Sequence, residues 1–237
     1  MIKQHTKIRK LVQKLISINT KYENTCAKFN NTYMKPYYMA LDVETIGLPY
    51  FKINNGIKSY YNPNDHKKYD MSRVIRIGYI IYDVCGNKTK ERQYIVKPND
   101  FIITKSKFHN ITHDIAIKDG SNINTIYNNF MNDIEGIKRF IGHNIEFDIN
   151  VLAAEFSRNN KSIDNIMKIN QICTMKICEP MFKIGSCYFN TYKYPSLAES
   201  LKLLFDIDYK LNDALTNAKY TGNIYFKVNK IKNFINT

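Results

Sequence analysis

Asp42 and Glu44 stand two residues apart within residues 37–45 (YYMALDVET), an apolar, β-compatible run. Alternate residues of a strand share a face, so both carboxylates project to the same side. Two such groups at a buried strand end repel one another. A hard divalent cation, Mg2+ or Mn2+, relieves that repulsion because it prefers carboxylate oxygens. Two solvated acids at a strand end are the plainer reading, and Asp-x-Glu alone does not decide between them. The frame does more: an apolar run precedes the pair, and Thr45-Ile46-Gly47-Leu48-Pro49 follows it.

A third acid, Asp148, closes the stretch Gly142-His143-Asn144-Ile145-Glu146-Phe147-Asp148. A strand ends at Gly142 and a helix opens with Asp148 in its first turn, where the helix dipole favours an acid. Plain N-capping is the alternative role. Phe147, Val151 and Leu152 pack inward and set the direction of Asp148.

The elements that position these residues follow from periodicity. Residues 3–19 place Ile8, Leu11, Val12, Leu15 and Ile18 on one stripe with lysines opposite, a basic amphipathic helix. It forms an appendage, residues 1–35, ahead of a main domain at 36–237, and is a surface on which a protein partner could dock. Residues 46–72 read as a polar loop. Residues 73–83 and 92–97 are strands joined by a turn at Cys85-Gly86-Asn87-Lys88. Residues 122–137 and 147–159 are helices with a strand at 139–142 between them. Residues 171–178 are a fifth strand, and helices follow at 196–205 and 213–232. This order implies an α/β sandwich with a mixed five-stranded sheet and helices on both faces.

Asp42-x-Glu44-Thr45-x-Gly47-Leu48, then Gly142-His143-Asn144 with Phe147-Asp148, resembles the first two motifs of the DnaQ-like 3′→5′ exonucleases, in the DEDD group. The segment Phe108-His109-Asn110-Ile111-Thr112-His113 and the Ser196-Leu197-x-x-x-Leu201 helix extend the resemblance over about residues 36–230. It implies a ribonuclease H-like three-layer sandwich and hydrolysis at nucleic-acid 3′ ends with two Mg2+ or Mn2+ ions. Asp42 would bridge both metals, Glu44 would hold the water-bearing one, and Asp148 would serve the second. Leu48 would wedge at the terminal base, with Thr45 and Gly47 holding the nucleotide. His143, Asn144 and Phe147 would line the substrate side.

The third motif departs from the family. Asn212 stands where a His is expected and Asn217 where an Asp is expected, in Asn212-Asp213-Ala214-Leu215-Thr216-Asn217-Ala218. Asn212 cannot act as a general base, which is typically worth 10²–10⁴-fold. Asn217 brings a carbonyl oxygen to a metal but no charge, so the second metal is held weakly. A rival register uses Tyr209 and Asp213, as in the Tyr-type branch, where the Tyr hydroxyl orients the water. It needs a helix that begins by Asp208.

The net charge is +14, from 35 Lys and Arg against 21 Asp and Glu, which suits a polyanionic partner such as single-stranded DNA or RNA. No apolar run reaches the ~20 residues of a membrane-spanning helix. Cysteines 26, 85, 173, 178 and 187 form no Cys-x-x-Cys pair and read as reduced, mostly buried thiols of an intracellular, cytoplasmic or nuclear protein. Three functions stay open: a metal-dependent 3′→5′ exonuclease slowed by Asn212 and Asn217, an inactive nuclease fold that binds single-stranded nucleic acid, and an interaction protein.

Overall fold

The computed structural model describes residues 35–104, 109–185, 192–210 and 213–235. The expected helix at 3–19, Cys26, Cys187, Phe108 and Asn212 lie outside these residues. The strands are β1 (Tyr38–Thr45), β2 (Phe51–Asn54), β3 (Ile57–Tyr60), β4 (Val74–Tyr82), β5 (Lys88–Ile95), β6 (Arg139–Gly142) and β7 (Asn170–Cys173). The helices are α1 (His113–Asp119), α2 (Ile123–Asp133), α3 (Ile145–Arg158), α4 (Asp164–Lys168), α5 (Thr174–Phe182), α6 (Leu197–Phe205) and α7 (Ala214–Ile235).

A five-stranded mixed sheet runs β5-β4-β1-β6-β7. β1 pairs antiparallel with β4 and parallel with β6, so it lies at the centre. Its side chains alternate between two cores. Met39, Leu41 and Val43 pack with Phe130 of α2 and Ile149, Leu152 and Phe156 of α3. Ala40 packs on the other face with Ile80, Ile141 and Tyr225 of α7. Each fully buried aliphatic chain contributes about 1.5–3 kcal/mol relative to exposure. The same alternation assigns Asp42 to the α7 face.

Two sequence expectations are corrected. The stretch 46–72 is not an unstructured loop: it carries the β2–β3 hairpin and a 3-10 turn at His66–Ser72. The hairpin turns on Asn55-Gly56, both at positive φ (51° and 76°), a pair suited to the tight turn that right-twisted strands require. The fifth strand is only Asn170–Cys173. From Thr174 the period becomes helical, because Thr174, Cys178 and Phe182 recur every fourth residue and are buried. Among the cysteines, Cys178 is buried but Cys85 is exposed. No helix among the described residues is long and apolar enough to cross a membrane.

Candidate active site

The carboxylates of β1 meet the first turns of α3 and α7 at one end of the sheet. Asp148, 3% exposed, sits in the first turn of α3, and its Oδ1 accepts from the Val43 N–H at 3.0 Å. Burial and the neighbouring Asp42 charge push the Asp148 carboxyl well above the usual carboxylate range, against the pull of the Val43 N–H. Asp42 Oδ2 accepts from Asn217 Nδ2 at 3.3 Å. Burial, with Asp213 adding to it and the Asn217 hydrogen bond opposing it, pushes Asp42 up to about 7.

Glu44 has a different neighbour. Arg76 is its direct cross-strand partner on β4, and the Arg76 Nη1 to Glu44 Oε2 distance is 3.0 Å. Burial, Asp42 and Asp213 nevertheless push Glu44 up to about 7, against the pull of Arg76. Arg76 Nε and His109 Nε2 are buried with no hydrogen-bond partner among the described residues. Burial and the Arg76 charge lower the His109 pKa, favouring a neutral ring.

The third motif enters through a close approach of backbones. A Cβ at Gly78 would lie 2.2 Å from Leu215 N, so only glycine lets α7 begin here. Gly78 stands opposite Asp42 in the ladder. Gln93 of β5 accepts from the Leu215 N–H at 3.0 Å. Asp213 is the N-cap of α7: its Oδ1 accepts from the Thr216 N–H at 2.8 Å. Asn217, one turn on, donates to Asp42 and accepts at Oδ1 from the Tyr209 hydroxyl at 3.2 Å. The helix begins at Ala214, so Tyr209 approaches from the preceding segment and not along a helix reaching back to Asp208. Asn217 and Asp213 both face the β1 carboxylates.

The residues expected on the substrate side take mixed positions. Leu48 is 70% exposed. Thr45 donates from Oγ1 to the Gly47 carbonyl at 2.6 Å, closing the turn after β1. Asn144 adopts a left-handed conformation (φ 82°), which Asn tolerates, and its carbonyl accepts from the Phe147 N–H. Phe147 packs against the main core. His143 is a brace: Nε2 donates to the Pro195 carbonyl and Nδ1 faces Thr174 Oγ1, both at 2.9 Å. Burial lowers its pKa, so the ring is neutral, and both ring nitrogens are engaged within the protein.

Among the described residues, no three His, Cys, Asp or Glu side chains converge closely enough to hold a metal ion. The partners explain why: Glu44 is turned to Arg76, Asp148 to the Val43 amide, and Asn217 presents a donor nitrogen to Asp42. Asp42 and Asp148 by themselves have the chemistry of a hard-cation site, one half-buried and one buried carboxylate, both with raised pKa values. Sequence reasoning missed Arg76 and Gly78. A lone charge inside the apolar strand VIRIGYIIY was the available signal for the first.

The RNase_T family model, described as Exonuclease, matches residues 39–219. The DNA polymerase III subunit epsilon of Buchnera aphidicola subsp. Schizaphis graminum is 30% identical over 148 residues, 61% of this chain and 56% of that protein. The chain thus spans little more than half of that relative. E. coli exonuclease I in complex with a dT13 oligonucleotide superposes with a TM-score of 0.63 at 15% identity, over 84% of this chain and 42% of that one. Exonuclease X in complex with 5′ overhanging duplex DNA gives a TM-score of 0.50 at 18% identity, over 83% of this chain and 92% of that one.

Proposed function

Because the chain belongs to this exonuclease family, DnaQ-like with a ribonuclease H fold, we propose that it trims single-stranded nucleic acid from the 3′ end by metal-dependent hydrolysis, slowed at its third motif. The observation that carries the reading is the meeting of half-buried Asp42 and buried Asp148, both with raised pKa values, beside the first turn of α7. A Mg2+ or Mn2+ ion bound there would act as a Lewis acid and supply a nucleophile at neutral pH. Asp42 and Asp148 would hold the first ion. Glu44 and Asn217 would hold a second one poorly, since Arg76 competes for Glu44 and the Asn217 oxygen is engaged by Tyr209.

The chain's own residues divide the remaining work. Leu48 and the turn at Thr45 and Gly47 meet the terminal nucleotide. His143, Asn144 and Phe147 set the opening of α3 and with it the direction of Asp148. Asn212 supplies no base, so proton removal from the attacking water falls to solvent or to a neighbouring carboxylate. Asp213 caps α7 and keeps Asn217 against Asp42.

A second reading has one observation in its favour. Asn217 donates a hydrogen bond where a metal-binding acid would stand, which suits a nuclease fold that binds single strands without turnover. Incubating a 5′-labelled oligonucleotide with Mn2+ separates the two. The exonuclease reading expects a ladder of progressively shortened products, lost in Asp42→Ala. Tight binding with no ladder at any metal concentration replaces it with the binding reading.

A further inference from the structure

Between Glu44 and Asp65 the chain holds no acid, and its only charges are Lys52 and Lys58. These lysines lie on the β2–β3 hairpin, which forms its own two-stranded sheet apart from the main one. Every residue of β2 is exposed. Phe51 is 41% exposed and Ile53 65%, with Leu48 at 70% and Tyr50 at 58% just before them. A cluster of exposed apolar side chains of this kind marks an interaction surface.

Ammonium groups sit against rings on both faces of the hairpin, Lys58 on the face of Phe51 and Ile53 and Lys52 on the opposite one. Lys58 Nζ lies 4.3 Å from the Phe51 ring centroid and 5.0 Å from that of Tyr60, the cross-strand partner of Phe51. Lys52 lies 4.7 Å from the Tyr61 ring, and Lys68 lies 4.8 Å from Tyr61 and 5.8 Å from Tyr50. A two-stranded hairpin alone is marginal in water. This one is tied down at its base by the Tyr50 N–H to Lys68 carbonyl bond, 2.9 Å, and by the Tyr69 hydroxyl on the Tyr61 carbonyl, 2.5 Å.

We propose that the β2–β3 hairpin is a single-strand track, binding the nucleic acid upstream of the 3′ end held at the β1 carboxylates. The proposal rests on the exonuclease reading above. The chemistry matches the occupant: rings offer faces on which bases stack regardless of sequence, and lysines between them follow the phosphates. The absence of acids between Glu44 and Asp65 removes from the hairpin itself the repulsion that a phosphate backbone would otherwise meet. The place matches as well. Phe51 follows Glu44 by seven residues, a span of on the order of 25 Å at full extension, so the hairpin lies within a few nucleotides of the candidate site.

The test is fluorescence anisotropy on the full chain, in EDTA so that nothing is degraded, with 5′-labelled oligothymidylates of 4 and 20 nucleotides. Lys52→Glu with Lys58→Glu, both exposed and remote from the core, is expected to weaken binding of the 20-mer by at least tenfold and to leave the 4-mer nearly unchanged. Phe51→Ala is expected to weaken the 20-mer about tenfold through lost stacking. The salt dependence of 20-mer binding should become shallower in Lys52→Gln with Lys58→Gln. Variants that bind both lengths like the wild type overturn the track and leave the exonuclease reading standing. A wild-type chain that binds neither length overturns the single-strand reading and the track with it. If the same substitutions abolish binding to phosphatidylserine vesicles while the 20-mer is unaffected, the surface serves a membrane and the proposal fails.

Discussion

Arg76 and Glu44 face each other across the β1–β4 ladder and close an ion pair at 3.0 Å, both side chains largely buried. A guanidinium therefore already neutralises the carboxylate that a divalent ion would need. At an effective dielectric of about 20, two unit charges at this range attract by a few kcal/mol, enough to compete with a metal.

Arg76→Gln should accordingly tighten Mn2+ binding about tenfold, whereas Arg76→Lys should change it little. Isothermal titration of the purified chain with Mn2+ reads this directly. Weaker Mn2+ binding in Arg76→Gln would mean that Arg76 props the site open and does not compete for it.

The pH dependence of stability has a defined sign. Asp42 and Glu44 are raised in the fold to about 7, from ordinary values near 4. A raised carboxylate pKa contributes stability that is complete below the unfolded value and is lost as pH rises through the folded value. Without metal, thermal stability should fall between about pH 4 and 7. Asp42→Asn should flatten that fall, and Mn2+ should restore stability at pH 8. A metal-free melting temperature that rises across the same window contradicts the assignment.

Gly78→Ala places a Cβ against the backbone of Leu215. Because backbone cannot swing aside as a side chain can, a loss of about 1–3 kcal/mol is expected in urea unfolding. The contact between Asn217 and Asp42 should loosen with it.

Arg73 and Glu155 form a second buried pair, at 2.9 and 2.8 Å, tying the start of β4 to α3. Glu155→Gln leaves Arg73 with the half-exposed Asp100, 2.6 Å away, as its remaining acidic partner, and should cost less than the roughly 3–5 kcal/mol of a fully unpaired buried charge. Restoring part of that stability with Arg73→Met in the same chain would show that the under-compensated charge, and not lost volume, is the cause.

Restoring Asn212→His together with Asn217→Asp should raise the rate of 3′ trimming by about 10²-fold or more. Each alone should give much less, because base and ligand serve one water. In the rival register the pair would do little, while Tyr209→Phe or Asp213→Asn would abolish activity. These variants on one labelled oligonucleotide separate the registers.

Local pattern made part of this architecture legible. The alternation in YMALDVET assigns Asp42 and Glu44 to one face, and the 3.6 period after Gly142 locates Asp148 in a first turn. Both are properties of a single segment. Arg76 beside Glu44 is not, since it depends on the register between two strands that sequence does not state. Gly78 is unreadable for the same reason: its small size matters only to α7, more than a hundred residues away. The β2–β3 hairpin did carry a signal, Asn55-Gly56, which its polar surroundings obscured. The end of β7 was misplaced because QICTMKIC suits either period until the packing of Cys178 and Phe182 selects the helix.

The contact at Gly78 also bears on how this site can change over evolutionary time. Because backbone meets backbone there, the distance between β4, which pairs with β1 at Asp42, and the first turn of α7 is set without reference to the side chain at position 217. Whichever residue occupies that position is delivered to Asp42. A substitution at 217 would then change what meets Asp42 while the scaffold keeps its shape, so the chemistry of this corner is separable from foldedness.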